Sequence, residues 1–138
     1  MTELTVVGKL QSLPKIAQYI QKLAREVGLD AHTSYNLRLA VDEISTNIIL
    51  HGYGQTDEPG LLVFNTILTP EQLIVILEDT GGAYEPEQLH QLSAAQIDKA
   101  LGQRPMGGLG VYLAVRSVDE FHYERIGDRN RTRFVINR

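Results

Sequence analysis

Residues 61–82 read LLVFNTILTPEQLIVILEDTGG. Two runs rich in Val, Ile, Leu and Phe, 61–68 and 72–79, flank a short polar joint at TPEQ, and this spacing predicts two strands of a hairpin. A hairpin makes the pairing antiparallel. The second run ends in Asp79, after which the chain breaks into glycines, EDTGGAYEP over 78–86. An aspartate at that point caps the strand and starts a turn, as aspartate often does. The other reading is a carboxylate aimed from a strand end into a glycine-lined space, where it accepts a hydrogen bond from a ligand's exocyclic amine. Gly81 and Gly82, lacking Cβ, let a flat ring approach the backbone there, and Tyr84 flanks the space.

Outward from this hairpin the periodicities alternate between strand and helix. Residues 3–9 predict a first strand. Ser12 stands as an N-cap with Pro14 in the first turn, followed by Ile16, Ile20, Leu23, Ala24 and Val27 at helical spacing and a stop at Gly28. A second helix is predicted from about Thr33, opened by Thr33 or Ser34, to about Leu50, with the stripe Leu37, Val41, Ile44 and Ile48. HGYGQTDEPG, 51–60, reads as a loop. After a long stretch at 80–106 with one short helix near SAAQIDKAL, a glycine-led helix is predicted over 107–118. A second hairpin, DEFHYERI and RTRFVINR around GDRN, ends the sequence. Strands that come as hairpins, with helices between, predict an α+β fold. Its form is a two-layer α/β sandwich whose largely antiparallel sheet is covered on one face by helices. Residues 1–138 read as a single domain in which 80–106 is a lid or binding loop.

The bulk numbers exclude several classes. At 138 residues and 43% hydrophobic content the chain carries enough for one core. A net charge of -4 argues against a nucleic-acid backbone binder, and the arginines of YERIGDRNRTRF read as a solvated hairpin. With no cysteine there are neither disulfides nor thiolate metal sites. No run of eighteen apolar residues predicts a membrane span, and the N-terminal stretch lacks the pattern of a signal peptide, so a cytoplasmic protein is expected.

Two further stretches carry candidate chemistry. In AVDEISTNIILHGYG, Glu43 and Asn47 are four apart and share a helix face about a quarter-turn from the apolar stripe, at the edge of the buried surface. They read as an ordinary i,i+4 polar pair, or as a carboxylate base beside an amide oxygen that ligates a hard cation. Mg²⁺ takes oxygen ligands and keeps waters, so one amide oxygen plus phosphates suffices. In PMGGLGVYLAVRS, Gly107, Gly108 and Gly110 precede an apolar helix whose N-terminal N–H groups suit phosphate. The loop is neither a Walker A motif nor a dinucleotide fingerprint, and it reads equally as a flexible loop end.

Taken in order, Glu-x-x-x-Asn on a helix, a hairpin ending in Asp-x-Gly, a long loop and Gly-Gly-Leu-Gly before a helix resemble the Bergerat-fold (GHKL) ATP-binding superfamily. Within it, AVDEISTNIILHGYG, EDTGGAYEP and MGGLGVYLAVRSVDEFHYE look most like the small anti-sigma-factor serine/threonine protein kinases, and the likeness covers nearly the whole chain. The resemblance implies ATP and Mg²⁺ as cofactors. It implies Glu43 as general base, Asn47 as Mg²⁺ ligand, Asp79 with Gly81 and Tyr84 at the adenine, and Gly107, Gly108, Leu109 and Gly110 at the phosphates. It also implies Arg104 toward the γ-phosphate, Thr132 supporting the adenine through water, and His51, of the HGY signature, in a structural or nucleotide-contacting role. Pro105 directly follows Arg104, and GGAYEP stands where many relatives carry proline or bulkier residues before the aromatic. The implied activity is phosphorylation of an anti-anti-sigma (STAS-type) partner, with a sigma factor as binding target and a homodimer as assembly. Two other classes stay open on the sequence: a nucleotide-dependent binding module without kinase activity, and an adaptor with no nucleotide.

Overall fold

The computed structural model describes residues 3–53, 59–81 and 116–138. Among these residues the sheet has five strands: β1 (Leu4–Val7), β2 (Leu61–Leu68), β3 (Gln72–Asp79), β4 (Glu120–Ile126) and β5 (Arg129–Asn137). Their order is β1-β2-β3-β5-β4 and every pairing is antiparallel. Among the described residues, two helices, α1 (Leu13–Val27) and α2 (Ala31–Asn47), supply the second layer. The expected α+β sandwich with an antiparallel sheet is therefore the fold found.

Alternation along each strand decides which side is buried. Leu62 and Phe64 of β2, Leu73, Val75 and Leu77 of β3, and Phe134 and Ile136 of β5 all face the core. Against them pack Ile16, Ile20 and Leu23 of α1 and Leu37, Ala40, Val41 and Ile44 of α2. Both helical stripes are the expected ones, with Val27 packed at the margin of the core.

Four boundaries differ from expectation. Ser12 precedes α1 but makes no side-chain cap bond, because it already belongs to the helical turn Leu10–Ser12 and lacks the extended backbone a cap requires. Asp30, not Thr33 or Ser34, caps α2: its Oδ1 accepts from the Thr33 N–H at 2.7 Å. The Thr33 hydrogen bonds hold the Asp30 carboxyl below the ordinary carboxylate range. At its other end α2 stops at Asn47 and the chain continues through a wider π turn, Ile48–Gly52. In the last hairpin only Gly127 and Asp128 form the turn, with Gly127 at φ 61°. Arg129 and Asn130, expected in the loop, belong to β5.

The short helix expected near 93–101 and all but the last residues of the helix expected over 107–118 lie outside the described residues; Arg116 and Ser117 are helical. Among the described residues, no helix is long and apolar enough to cross a membrane.

Candidate functional site

The exit of α2 and the end of β3 meet through Tyr53, Gly52 and Gly81. Tyr53, just past the π turn, is buried. Its hydroxyl donates to the Leu61 carbonyl at 2.9 Å and accepts from the Thr80 N–H at 2.8 Å. The ring lies over Gly8 and Gly60, where a Cβ at Gly60 would come within 2.7 Å of the Tyr53 hydroxyl oxygen. Only glycine leaves room for this ring. Beside it, Gly52 and Gly81 are packed so closely that a Cβ at Gly81 would stand 3.2 Å from the Gly52 Cα. These contacts hold the helix carrying Glu43 and Asn47 against the strand ending in Asp79. A π turn at this junction fits a pattern in which such distortions occur at functional sites.

Glu43 and Asn47 are half-buried on α2, at the edge of the core, as their spacing from the apolar stripe implied. His51 is exposed on the π turn, so within the HGY signature Tyr53 is the residue with the visible structural task. Among the described residues, no group of three His, Asp or Glu side chains is arranged to hold a metal ion. A cation here would take the Asn47 amide oxygen and complete its shell from phosphates and water, a mode suited to Mg²⁺.

Asp79 is 3% exposed. Its Oδ1 accepts from the Gly81 N–H at 2.8 Å and from Asn130 Nδ2 at 2.9 Å. Its Oδ2 is buried with no hydrogen-bond partner among the described residues. Burial pushes the Asp79 carboxyl up from the ordinary value, opposed by the Asn130 and Gly81 hydrogen bonds and by the charge of Arg125. A buried carboxylate oxygen without a donor is costly to leave unmet. The residues thus fit an adenine nucleotide on a specific observation: one acceptor at a strand end, already desolvated, lacks the donor that an exocyclic amine would bring.

Asn130 lies directly across from Asp79 in the β3·β5 ladder, and Arg125 directly across from Asn130 in the β4·β5 ladder. The three form one cross-strand row of acid, amide and guanidinium. Thr132 is fully buried two residues further along β5, opposite Leu77 and Tyr123, and so is not in Asp79's own row. Tyr84, Arg104, Gly107, Gly108, Leu109 and Gly110 lie outside the described residues. The functional residues that sequence reasoning missed are Tyr53, Arg125 and Asn130. The only sequence signal for them was the tyrosine of HGY.

Known proteins are similar to this chain in sequence and in fold. The Bacillus pumilus protein named Serine-protein kinase RsbW is 26% identical over 122 residues, covering 87% of this chain and 75% of the relative. The Bacillus subtilis protein of the same name is 27% identical over 119 residues, covering 86% and 74%. These are the serine kinases that the motifs resemble. Among solved structures, the RsbU and RsbW domains of Rv1364c from Mycobacterium tuberculosis superpose with a TM-score of 0.67 at 14% identity, and this chain spans 33% of that one. A chain of the SiaB–SiaC complex from Pseudomonas aeruginosa likewise gives 0.67 at 13% identity, with 99% of this chain and 89% of that one covered. At such identities the likeness is one of fold. Residues 6–136 match the family described as Histidine kinase-like ATPase domain, and the chain belongs to that family.

Proposed function

We propose that this protein is an ATP- and Mg²⁺-dependent serine/threonine protein kinase that acts as an anti-sigma regulatory factor, phosphorylating an anti-anti-sigma partner of STAS type. The observation that carries this reading is the buried, unmet Oδ2 of Asp79, held beside the exit of the helix that bears Glu43 and Asn47. The family match and the serine-kinase relatives support it.

When bound, Mg·ATP would supply the γ-phosphoryl group to the partner's hydroxyl and leave as Mg·ADP. Asp79 Oδ2 accepts from the adenine amine and fixes the base. Asn47 offers its amide oxygen to the cation. Glu43, one helical turn earlier on the same face, orients the partner's hydroxyl and takes its proton. Phosphoryl transfer depends mainly on positioning and charge neutralisation, so these few groups suffice. Gly107, Gly108, Leu109, Gly110 and Arg104 are assigned to the phosphate end, with Tyr84 and Thr132 at the base and His51 in a structural or nucleotide-contacting role. Residues 1–138 are read as one ATPase domain with its lid over 80–106. A sigma factor as the held target, a homodimer and a cytoplasmic setting belong to the same reading.

Transfer of labelled phosphate from Mg·ATP to a STAS-domain partner tests it. The wild type is expected to label a serine or threonine of the partner. Glu43→Ala should lower transfer by about a hundredfold or more, the usual scale for general acid–base catalysis, with nucleotide binding intact. Nucleotide binding without transfer would overturn the kinase and leave a nucleotide-dependent binding regulator. Absence of any nucleotide binding would overturn both.

A further inference from the structure

The carboxylate of Asp79 can serve an adenine amine only if its free oxygen points one way. Rotation about the terminal bond of an aspartate is soft, with a broad and roughly two-fold profile. One hydrogen bond from the Gly81 N–H would leave that freedom largely intact. The second bond, from Asn130 Nδ2 onto the same Oδ1, removes it. Both donors then sit on one oxygen and Oδ2 is left over.

The Asn130 amide is itself fixed in direction. Its Oδ1 accepts from Tyr123 Oη at 2.5 Å and from Arg125 Nη1 at 3.0 Å. Its Nδ2 also donates to the Gly81 carbonyl at 3.2 Å, and Arg125 Nη1 donates to the same carbonyl at 2.7 Å. Rotating the amide by half a turn would set its oxygen against a carboxylate and its NH₂ against a guanidinium, so two like contacts would replace two favourable ones. Asn130 is fully buried, which strengthens each of these preferences. We infer that Asn130, locked by Arg125 and Tyr123, is a positioning residue that aims the free oxygen of Asp79 and thereby sets the preference for a purine bearing an exocyclic amine.

This rests on the nucleotide reading above and deepens it. A base carrying a carbonyl in place of the amine, hypoxanthine, presents an acceptor to Oδ2. A site built around a buried hydrogen-bonding group discriminates strongly against the analogue that cannot answer it. Removing Asn130 frees the carboxylate to turn and removes one of the bonds that favour its ionised form. Arg125 from β4 and the Gly81 N–H remain as the groups that favour the ionised form.

The test is calorimetric binding of Mg·ADP and Mg·IDP to the full chain, as wild type, Asn130→Ala and Arg125→Gln, across a pH series. Wild type should favour ADP. Asn130→Ala should lose ADP affinity about tenfold, the scale of a hydrogen bond to a charged group, with IDP affinity almost unchanged. Its loss of ADP binding on acidification should also begin at higher pH than in wild type. Arg125→Gln, at an exposed position that leaves the core alone, should move both readouts the same way by less, and it carries the test if Asn130→Ala does not fold. An equal loss for both nucleotides, or an unchanged ratio and acid limb in a wild type that binds ADP, overturns this inference alone. A wild type that binds no adenine nucleotide overturns the nucleotide reading and this inference with it.

Discussion

One face of the β3·β5 pair has two interiors. At one end the cross-strand pairs are Leu73 with Ile136 and Val75 with Phe134; at the other they are Leu77 with Thr132 and Asp79 with Asn130. All eight side chains are buried. What changes along the pair is chemistry, not exposure. The apolar end gains from leaving water, and Phe134 adds an edge-on contact with Phe121 at 5.6 Å. The polar end removes a carboxylate from water and leaves one of its oxygens unmet, which opposes folding. The difference teaches that this sheet carries stability at one end and, on the proposed reading, recognition at the other, on the same strands.

The harshest way to break that division is at the apolar end. Phe134→Ala should cost about 3–5 kcal/mol in chemical denaturation, the usual range for emptying a Phe site in a core. The fraction that stays folded should retain its nucleotide affinity. A large loss of affinity with little loss of stability would mean that the two ends are not separate in function.

Asp79→Asn is the matching change at the polar end, and its effects should have the opposite sign. Nucleotide affinity should fall about a hundredfold, because a charged acceptor is lost and an NH₂ group comes to face the base's own donor. Stability without ligand should not fall at neutral pH and should rise if the ionised carboxylate is a net burden. The folded-state pKa of Asp79 is raised, so its contribution to stability is full below the ordinary carboxylate value and is lost as pH rises through the raised one. The stability gap between variant and wild type should therefore widen in the variant's favour from about pH 4 upward. Affinity for the adenine nucleotide should run the other way in wild type and weaken as pH falls. Thermal melts and calorimetry over the same pH series check both slopes. A variant much less stable than wild type at neutral pH would make Asp79 a structural residue.

The apolar end was the easier to read in the sequence. LLVFNTIL and QLIVILED declare their strands by composition and length, and the stripes of α1 and α2 recur at helical spacing, because burial acts on every turn of a regular element. Asp79 could also be placed, since it ends a strand. Asn130 could not. GDRN consists largely of residues that favour turns, and nothing local says that the turn uses only Gly127 and Asp128. Two extra residues of strand bring Asn130 opposite Asp79, a register set by pairing between segments fifty-one residues apart. Tyr53 was hidden for a similar reason: the room for its ring is made by Gly8 and Gly60, on other segments. Asp30 was overlooked because Thr33 and Ser34 are equally good caps by type, and only backbone geometry chooses among them.

The smallest effect should come from the residue next to Asp79. Glu78 points to the other face of the sheet, 3.6 Å from Arg129 Nη1 and 3.7 Å from Arg131 Nη2, while Arg131 Nη1 reaches Glu124 at 3.5 Å. The Arg129 and Arg131 side chains are 64% and 38% exposed and that of Glu78 is 22% exposed, so water and salt screen these charges in part. Glu78→Gln should cost less than about 1 kcal/mol, and the cost should shrink further as salt is added. It should leave the ADP-to-IDP preference where it was. The two adjacent acids take opposite faces, and alternation along the strand separates an arginine-paired, partly screened charge from a buried acceptor. If Glu78→Gln moved nucleotide affinity as far as Asp79→Asn does, the effect would have to pass through the strand itself. The base preference would then be a property of the whole hairpin instead of one row of side chains.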